Sequence, residues 1–506
     1  MGRSKRLSLL TVFVLVAALS GVMPVVGAPE SVACDNRTNN TVAKLLECVS
    51  VEGVREHQEA FQAIADANGG IRASGTPGYD ASVDYVVEKM TAAGYDVTVD
   101  PFEFDFFEVT EPPVFERTSP NPTTYVDQED FDVMTFSGSG DVTASLQAVD
   151  LSIADPAAST SGCEAGDFTG FTEGNVALMQ RGTCAFAIKA QNAEAAGASG
   201  AVIFNQGTPP SLGLLFGTLG APGSNIPVIG ISFDLGVELS SEPTEVHLDV
   251  QTISEARETA NVFAETPGGK ADNIVMAGAH LDSVTEGPGI QDNGSGSGAL
   301  LEIAEQMQKV KPTNKLRFAW WGAEEFGLVG SIDWVVRQAD SGALNDVALY
   351  LNFDMIGSPN FVRFVYDGST QPPGSDVIED LFGVFWDSKG LPHELVEVGG
   401  RSDHFAFAAF GVPIGGLFTG AEVIKTPDQA ALYGGVAGEQ FDPCYHLACD
   451  TFENVSLDVL DQMTDATAFA ILTYSMNTES VNGVSGKGNF KQQNQLKPLE
   501  KTGPDA

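Results

Sequence analysis

The chain has 506 residues, 43% of them hydrophobic, and carries 68 Asp+Glu against 26 Lys+Arg, a formal net charge of -42. That much apolar material is ample for buried cores and, by length, for roughly two to four domains. So acidic a field repels nucleic acid and anionic membranes, which excludes both as partners, and it suits a soluble extracellular protein, one from a salty environment included.

The first residues read as a secretion signal. Arg3, Lys5 and Arg6 precede an apolar run from Leu9 to about Val22, short for a bilayer span, and the small-residue site Val26-Gly27-Ala28 places cleavage after Ala28. No later segment is apolar enough for a stable membrane anchor. The 6 cysteines fall into local pairs, Cys34/Cys48, Cys163/Cys184 and Cys444/Cys449, which behind a signal favour disulfides over thiol chemistry. Local pairing is the simplest proposal, although spacing alone leaves other connectivities open.

A helical stretch over 42–68 leads into a turn-rich run at 72–79, a helix over 81–93 and an alternating strand over 95–104. Residues 110–122 are proline-studded and predict a connector. From 127 to 252 the texture changes to short β-like runs, many glycines and one helix near 185–196, with strands expected at 176–180, 201–204 and 228–232. This reads as an inserted β-rich module with its own core. From 258 to 480 the rhythm is strand–loop–helix: strands at 274–279, 316–321 and 347–353, helices at 298–310 and 331–338. Apolar strands alternating with helices predict an α/β layer fold with a largely parallel, buried sheet. The chain thus divides into a signal peptide (1–28), the first part of the main domain (29–126), the insert (127–252), the rest of the main domain (253–480) and a polar tail expected to be disordered (481–506).

Three of these strands end in acid or histidine clusters. The first gives Ala279-His280-Leu281-Asp282-Ser283, with Gln291-Asp292-Asn293-Gly294-Ser295-Gly296 soon after; the second gives Gly322-Ala323-Glu324-Glu325-Phe326-Gly327; the third gives Asn352-Phe353-Asp354-Met355-Ile356-Gly357. Functional sites of open α/β sheets gather outside the carboxyl ends of strands, so the clusters should converge. A later run, Asp442-Pro443-Cys444-Tyr445-His446-Leu447-Ala448-Cys449-Asp450, adds a histidine in a tight loop.

Taken singly, each piece has a bland reading. His280 could be a satisfied histidine, Glu324-Glu325 a solvated helix start, Asp292-Asn293-Gly294 a turn and Asp354 a helix cap. Their shared placement argues otherwise, because gathering so many like charges needs a compensating cation. Two histidines and three carboxylates, one of them bridging, would hold two divalent ions roughly 3.5–4 Å apart in a hydrolytic site. Imidazole with carboxylate suits zinc, with cobalt or manganese as substitutes. One acid must stay off the metal as general base, and two adjacent glutamates answer both needs.

These motifs resemble those of the M28 zinc aminopeptidases, in particular the secreted bacterial leucine-type ones. Gly400-Arg401-Ser402-Asp403-His404 and Gly416-Leu417-Phe418-Thr419-Gly420 are further matches, and the resemblance covers about 258–474. It implies a three-layer α/β sandwich of the zinc exopeptidase type around a mixed, largely parallel sheet. Carried over by motif, His280 and Asp354 would bind one of two zinc ions, Glu325 and His446 the other, with Asp292 bridging. Glu324 would be the general base, and Asp282 would orient His280, which physical expectation also supports. Tyr445 resembles the phenol that helps stabilise the oxyanion. Arg401 sits where relatives contact the peptide backbone or product carboxylate, and Phe418 resembles a wall of the first-residue pocket. The resemblance implies a secreted, monomeric exopeptidase that takes peptide or protein N-termini as substrate.

The middle module resembles a protease-associated (PA) domain through Gly162-Cys163, Asn175–Leu178, Arg181-Gly182-Thr183-Cys184 and the helix 190–196 followed by Gly200–Ile203. Such domains bias substrate access or binding in several peptidases; a packing role is the plain alternative. Ahead of it, Gly75–Tyr79 and Ser82–Tyr85 resemble the N-terminal part of the peptidase fold, which makes the catalytic domain discontinuous.

Other signals are weaker. Gly294-Ser295-Gly296-Ser297-Gly298-Ala299 fits a dinucleotide pattern, but Asp292 would oppose a pyrophosphate. His393-Glu394 begins a zincin-like helix without its second histidine, and His404 could line the cleft. Asp461 and Asp465 share a helix face near which some relatives bind Ca2+, against the simpler reading of a solvated acidic face. Asn36, Asn39, Asn293 and Asn454 fit the glycosylation pattern. Rival functions are a carboxypeptidase-type relative, for which only Arg401 and Arg363 are at hand as arginines, and a binding ectodomain that keeps the fold without metals.

Overall fold

The computed structural model describes residues 34–491; the expected signal peptide lies outside the described residues, as do positions 492–506 of the tail. Two eight-stranded sheets organise the chain. The first runs in the order Asp96–Val109, Thr252–Glu265, Asn314–Trp321, Lys270–His280, Val347–Phe353, Ile414–Phe418, Phe364–Tyr366, Glu394–Val396. Its middle four strands are parallel, and antiparallel pairs flank them on both sides, so the sheet is mixed.

The alternation of side chains along a strand explains the layers. From Lys270–His280, Val275, Ala277 and Ala279 pack to one side with Phe61, Leu300, Leu381 and Phe469 of covering helices. Ile274 and Met276 pack to the other with Trp334, Val335 and Phe407. Helices on both faces leave no polar face, which is why these strands read as unbroken apolar runs. The result is an α/β three-layer arrangement.

The helix expected from residue 298 starts at Gly294, because the Asn293 side chain caps it by accepting the Gly296 N–H at 2.9 Å. A Cβ at Gly296 would come within 2.0 Å of the Phe353 carbonyl, so the glycine run serves close packing against the sheet rather than a nucleotide.

The strands Asp96–Val109 and Thr252–Glu265 form a long antiparallel ribbon from Asp96↔Glu265 to Val109↔Thr252. The second sheet is inserted at the far end of this ribbon, with two apolar cores of its own. It begins earlier than expected. Val114–Ser119, read as part of a connector ahead of residue 127, is a strand paired with Thr244–Val250. Its prolines flank it, Pro112-Pro113 before and Pro120 after, so none removes an N–H from within the strand.

The tail also differs from expectation up to residue 491. A short helix Glu479–Asn482 follows the Leu457–Met476 helix, Gly486 N–H reaches Asn477 Oδ1 at 2.9 Å, and Phe490 is buried in the main core. One apolar side chain in a polar run was enough to anchor it. Disulfides join Cys34–Cys48, Cys163–Cys184 and Cys444–Cys449. Among the described residues no helix is long and apolar enough to cross a membrane.

Candidate active site

The carboxyl ends of the parallel strands open onto one pocket of about 280 Å³. Parallel register sets the convergence: His280 lies level with Trp321, and Phe353 with Leu417. The loops that leave these strands therefore deliver Glu324, Glu325 and Asp354 beside His280, and the helix cap Asn293 fixes Asp292 at the same height. Three non-glycine residues of this region have left-handed backbone, Ala323 (φ 52°), Met355 (φ 54°) and His446 (φ 55°). Strain of this kind persists where neighbouring structure enforces it, and it gathers at functional sites.

The distances link the expected ligands in a chain. His280 Nε2 is 3.1 Å from Asp292 Oδ1 and 3.2 Å from Asp354 Oδ1. His446 Nε2 is 3.4 Å from Asp292 Oδ2 and 3.1 Å from Glu325 Oε2. Asp292 thus faces one imidazole with each oxygen. Ligand atoms of His280, Asp292 and Glu325 lie within 4.8 Å of one another, as do those of His280, Glu324 and Asp354.

Supporting groups aim these side chains. His280 Nδ1 donates to the Asp282 carbonyl at 3.1 Å and is 3.5 Å from its carboxylate, leaving Nε2 to face the pocket. Ser402 donates to Asp354 Oδ2 at 2.7 Å and itself accepts from Asn352 at 2.7 Å. At the rim, Arg401 donates to Tyr445 Oη at 3.1 Å and pairs with Glu422 at 2.8 Å. Phe418 stacks on Phe364 with ring centres 6.0 Å apart and, with Val396, Val398 and Val423, forms the apolar wall.

Electrostatics test whether these residues fit divalent ions. Burial, with the Asp292 charge beside it, pushes Glu325 up to about 7, and burial also raises Glu324 well above the usual carboxylate range. Burial alone would strip His446, but its bonds to Asp292 and Glu325 carry it up to about 10. Burial opposes the His280 imidazolium as well, yet Glu324 and Asp354 outweigh it and hold its pKa high. Asp292 moves the other way: burial would raise it, but the two imidazoles hold it low. Glu325 Oε1 is buried without a hydrogen-bond partner. The donor set of nitrogen and carboxylate oxygen, with an orphaned oxygen and an excess of acid, fits the divalent ions that the resemblance implies.

Several residues behave as the plainer readings expected. His404 lines the pocket but donates to the Gly399 carbonyl at 3.0 Å, and burial drops it to about 4. Asn293 is buried and donates to Phe353 O at 3.0 Å, which leaves no room for a glycan. The acidic face departs from the solvated one expected: Asp465 is largely buried and paired with Lys389 at 3.3 Å, so a cation of the chain itself already sits there. Sequence reasoning missed Glu422, whose tie to Arg401 spans a loop and carries no local signal. Ser402 carries no signal beyond its motif, because its tie to Asp354 spans 48 residues.

The chain matches the model of peptidase family M28 over residues 261–471 and that of the PA domain over 142–239. It is 46% identical over 472 residues to an aminopeptidase of Pseudomonas aeruginosa, covering 92% of this chain and 88% of that one. Leucine aminopeptidase 2 of Trichophyton rubrum is 45% identical over 329 residues, 63% of this chain and 66% of its own. Among solved structures, a zinc aminopeptidase from Bacillus subtilis superimposes with a TM-score of 0.56 at 25% identity, over 84% of this chain and 94% of that one.

Proposed function

The chain belongs to peptidase family M28 and is a zinc-dependent aminopeptidase, and from that premise we propose that it uses two zinc ions to remove bulky apolar residues from peptide N-termini. The observation that carries the two-ion reading is Asp292, whose two oxygens face His280 and His446, one each. In this assignment His280 and Asp354 would hold one ion, Glu325 and His446 the other, and Asp292 would serve both. The apolar wall of Val396, Val398, Phe418 and Val423 supports a bulky first residue. So does the name leucine aminopeptidase carried by the Trichophyton rubrum relative.

The ions supply polarisation of the scissile carbonyl and an acidified water. Glu324, left outside the ligand set, takes the water proton and hands it to the leaving amine. Asp282 keeps His280 in the tautomer with Nε2 free, and Ser402 occupies one oxygen of Asp354 so that the other faces the site. Tyr445 accepts from Arg401, which leaves its own O–H to donate to the oxyanion. Arg401, exposed at the rim, is placed to contact the peptide backbone or the product carboxylate. The pocket acids hold the free α-amino group, which restricts cleavage to the first residue. The disulfides suit a chain secreted from the cell.

Turnover of leucine p-nitroanilide, its N-acetylated form and acidic-tailed dipeptides tests this reading. Fast cleavage of the first alone is expected. Cleavage of the blocked anilide would contradict recognition of the free amine, and preference for the acidic-tailed dipeptides would favour a carboxypeptidase.

A further inference from the structure

One buried acid beside the site has no role above. Asp450, 2% exposed, accepts the Gln291 N–H with one carboxylate oxygen and the Asp292 N–H with the other, each at 2.9 Å. Its backbone carbonyl accepts the Ile290 N–H at 3.1 Å. Asn454 Nδ2 donates to Asp450 Oδ1 at 3.1 Å and to Asp442 Oδ1 at 3.0 Å. Asp442 in turn accepts the Cys444 N–H at 2.9 Å, and the Cys444–Cys449 disulfide closes the loop that carries His446. One carboxylate therefore ties the segment bearing Asp292 to the loop bearing His446. The buried Arg72 guanidinium binds the carbonyls of Pro288 and Gly289, so the approach to Asp292 is held by its carbonyl groups as well as by its N–H groups.

We infer that Asp450 is a positioning residue that sets the spacing between Asp292 and His446 and, through it, the affinity for the ion that His446 and Glu325 hold. The inference rests on the two-ion reading. A carboxylate on a single methylene is what the geometry requires. Two backbone N–H groups on consecutive residues point at one side chain, and each needs its own acceptor. Asparagine offers one oxygen and turns an NH2 against the second N–H; alanine leaves both donors buried and unpaired, at a cost set by their desolvation. The ion between His280 and Asp354 draws its own ligands from two neighbouring strand ends and depends on this clamp only through Asp292. Loss of the clamp should therefore separate the two ions.

The test is zinc binding to Asp450→Asn in the full-length protein, titrated in chelator-buffered zinc with metal content read by mass spectrometry, alongside thermal unfolding of the metal-free protein. The wild type should bind two ions, and the variant should hold one at near wild-type affinity while the other weakens by about 10–100-fold. Asn454→Ala, which leaves Asp450 on both N–H groups but cuts its tie to Asp442, should weaken the same ion less and decides the matter if Asp450→Asn does not fold. Wild-type affinity for both ions in the variants overturns the inference. So does equal loss of both ions in step with metal-free stability, which is what a merely structural role gives. A wild type that binds a single ion overturns the two-ion reading itself.

Discussion

The Asp282 carboxylate accepts the backbone N–H of Glu324 at 3.3 Å, so the residue that steadies the His280 imidazole also fixes the residue assigned as base. The neighbouring Glu325 N–H reaches the other oxygen of Asp282 at 3.4 Å. A single buried carboxylate thereby couples His280 and Glu325, the ligands proposed for the two ions, to the proposed base Glu324.

Asp282→Asn should weaken zinc by about 10–100-fold, the usual effect of removing a hydrogen bond behind a ligand. It should also lower kcat at saturating zinc, because Glu324 loses an anchor. Chelator-buffered titration combined with kcat at each zinc level separates the two effects. A kcat fully restored by zinc would mean that Asp282 serves the ligand alone.

Glu324→Ala should keep its zinc and lose turnover by about 10²–10⁴-fold, the range for a general acid–base group. Metal content and kcat on leucine p-nitroanilide, measured on one preparation, check it. Loss of zinc in this variant would make Glu324 a ligand instead.

Tyr445→Phe removes the O–H that Arg401 leaves free while keeping the ring, which stacks on His446 with centres 3.8 Å apart. Expected is a fall in kcat of about 10²-fold with little change in KM, as for loss of one oxyanion donor. A rise in KM alone would place the phenol in substrate binding.

Phe418→Ala should lower kcat/KM for leucine p-nitroanilide by about 10-fold or more, the cost of losing apolar contact in a first-residue pocket, and should lower that for alanine p-nitroanilide less. Equal losses on both substrates would remove Phe418 from the specificity wall.

A pH effect on stability is expected away from the site. Burial pushes Glu302, which accepts the Ser50 N–H at 3.1 Å, from its ordinary 4.5 up to about 7. Its folded pKa is raised, so between those values the folded chain keeps a proton that the unfolded chain has lost. Stability therefore falls as pH rises through that window and levels off above about 7. Glu302→Gln should gain of order 2 kcal/mol over the wild type at pH 8 and little or nothing at pH 4. Thermal midpoints at the two pH values, whose difference should be a few degrees, check it.

Much of the centre was legible because its chemistry is local. Strand ends followed at once by acids can be read residue by residue, and the apolar runs 176–180 and 347–353 match the strands Val176–Gln180 and Val347–Phe353. What escaped depends on distance along the chain. Arg401–Glu422, Ser402–Asp354 and the Asp450 clamp each join segments whose meeting is decided by sheet order, which no short window contains. The strand Val114–Ser119 was hidden by the prolines that flank it, and the anchoring of Phe490 by the polar residues around it.

Two ions shared by five side chains are the proposed centre's defining feature to be tested. Crystals grown with zinc and measured at the zinc absorption edge should give two anomalous peaks roughly 3.5–4 Å apart. One should lie between His280 and Asp354 and the other between Glu325 and His446, with Asp292 touching both. A single peak, or a second peak held without Asp292, would contradict it.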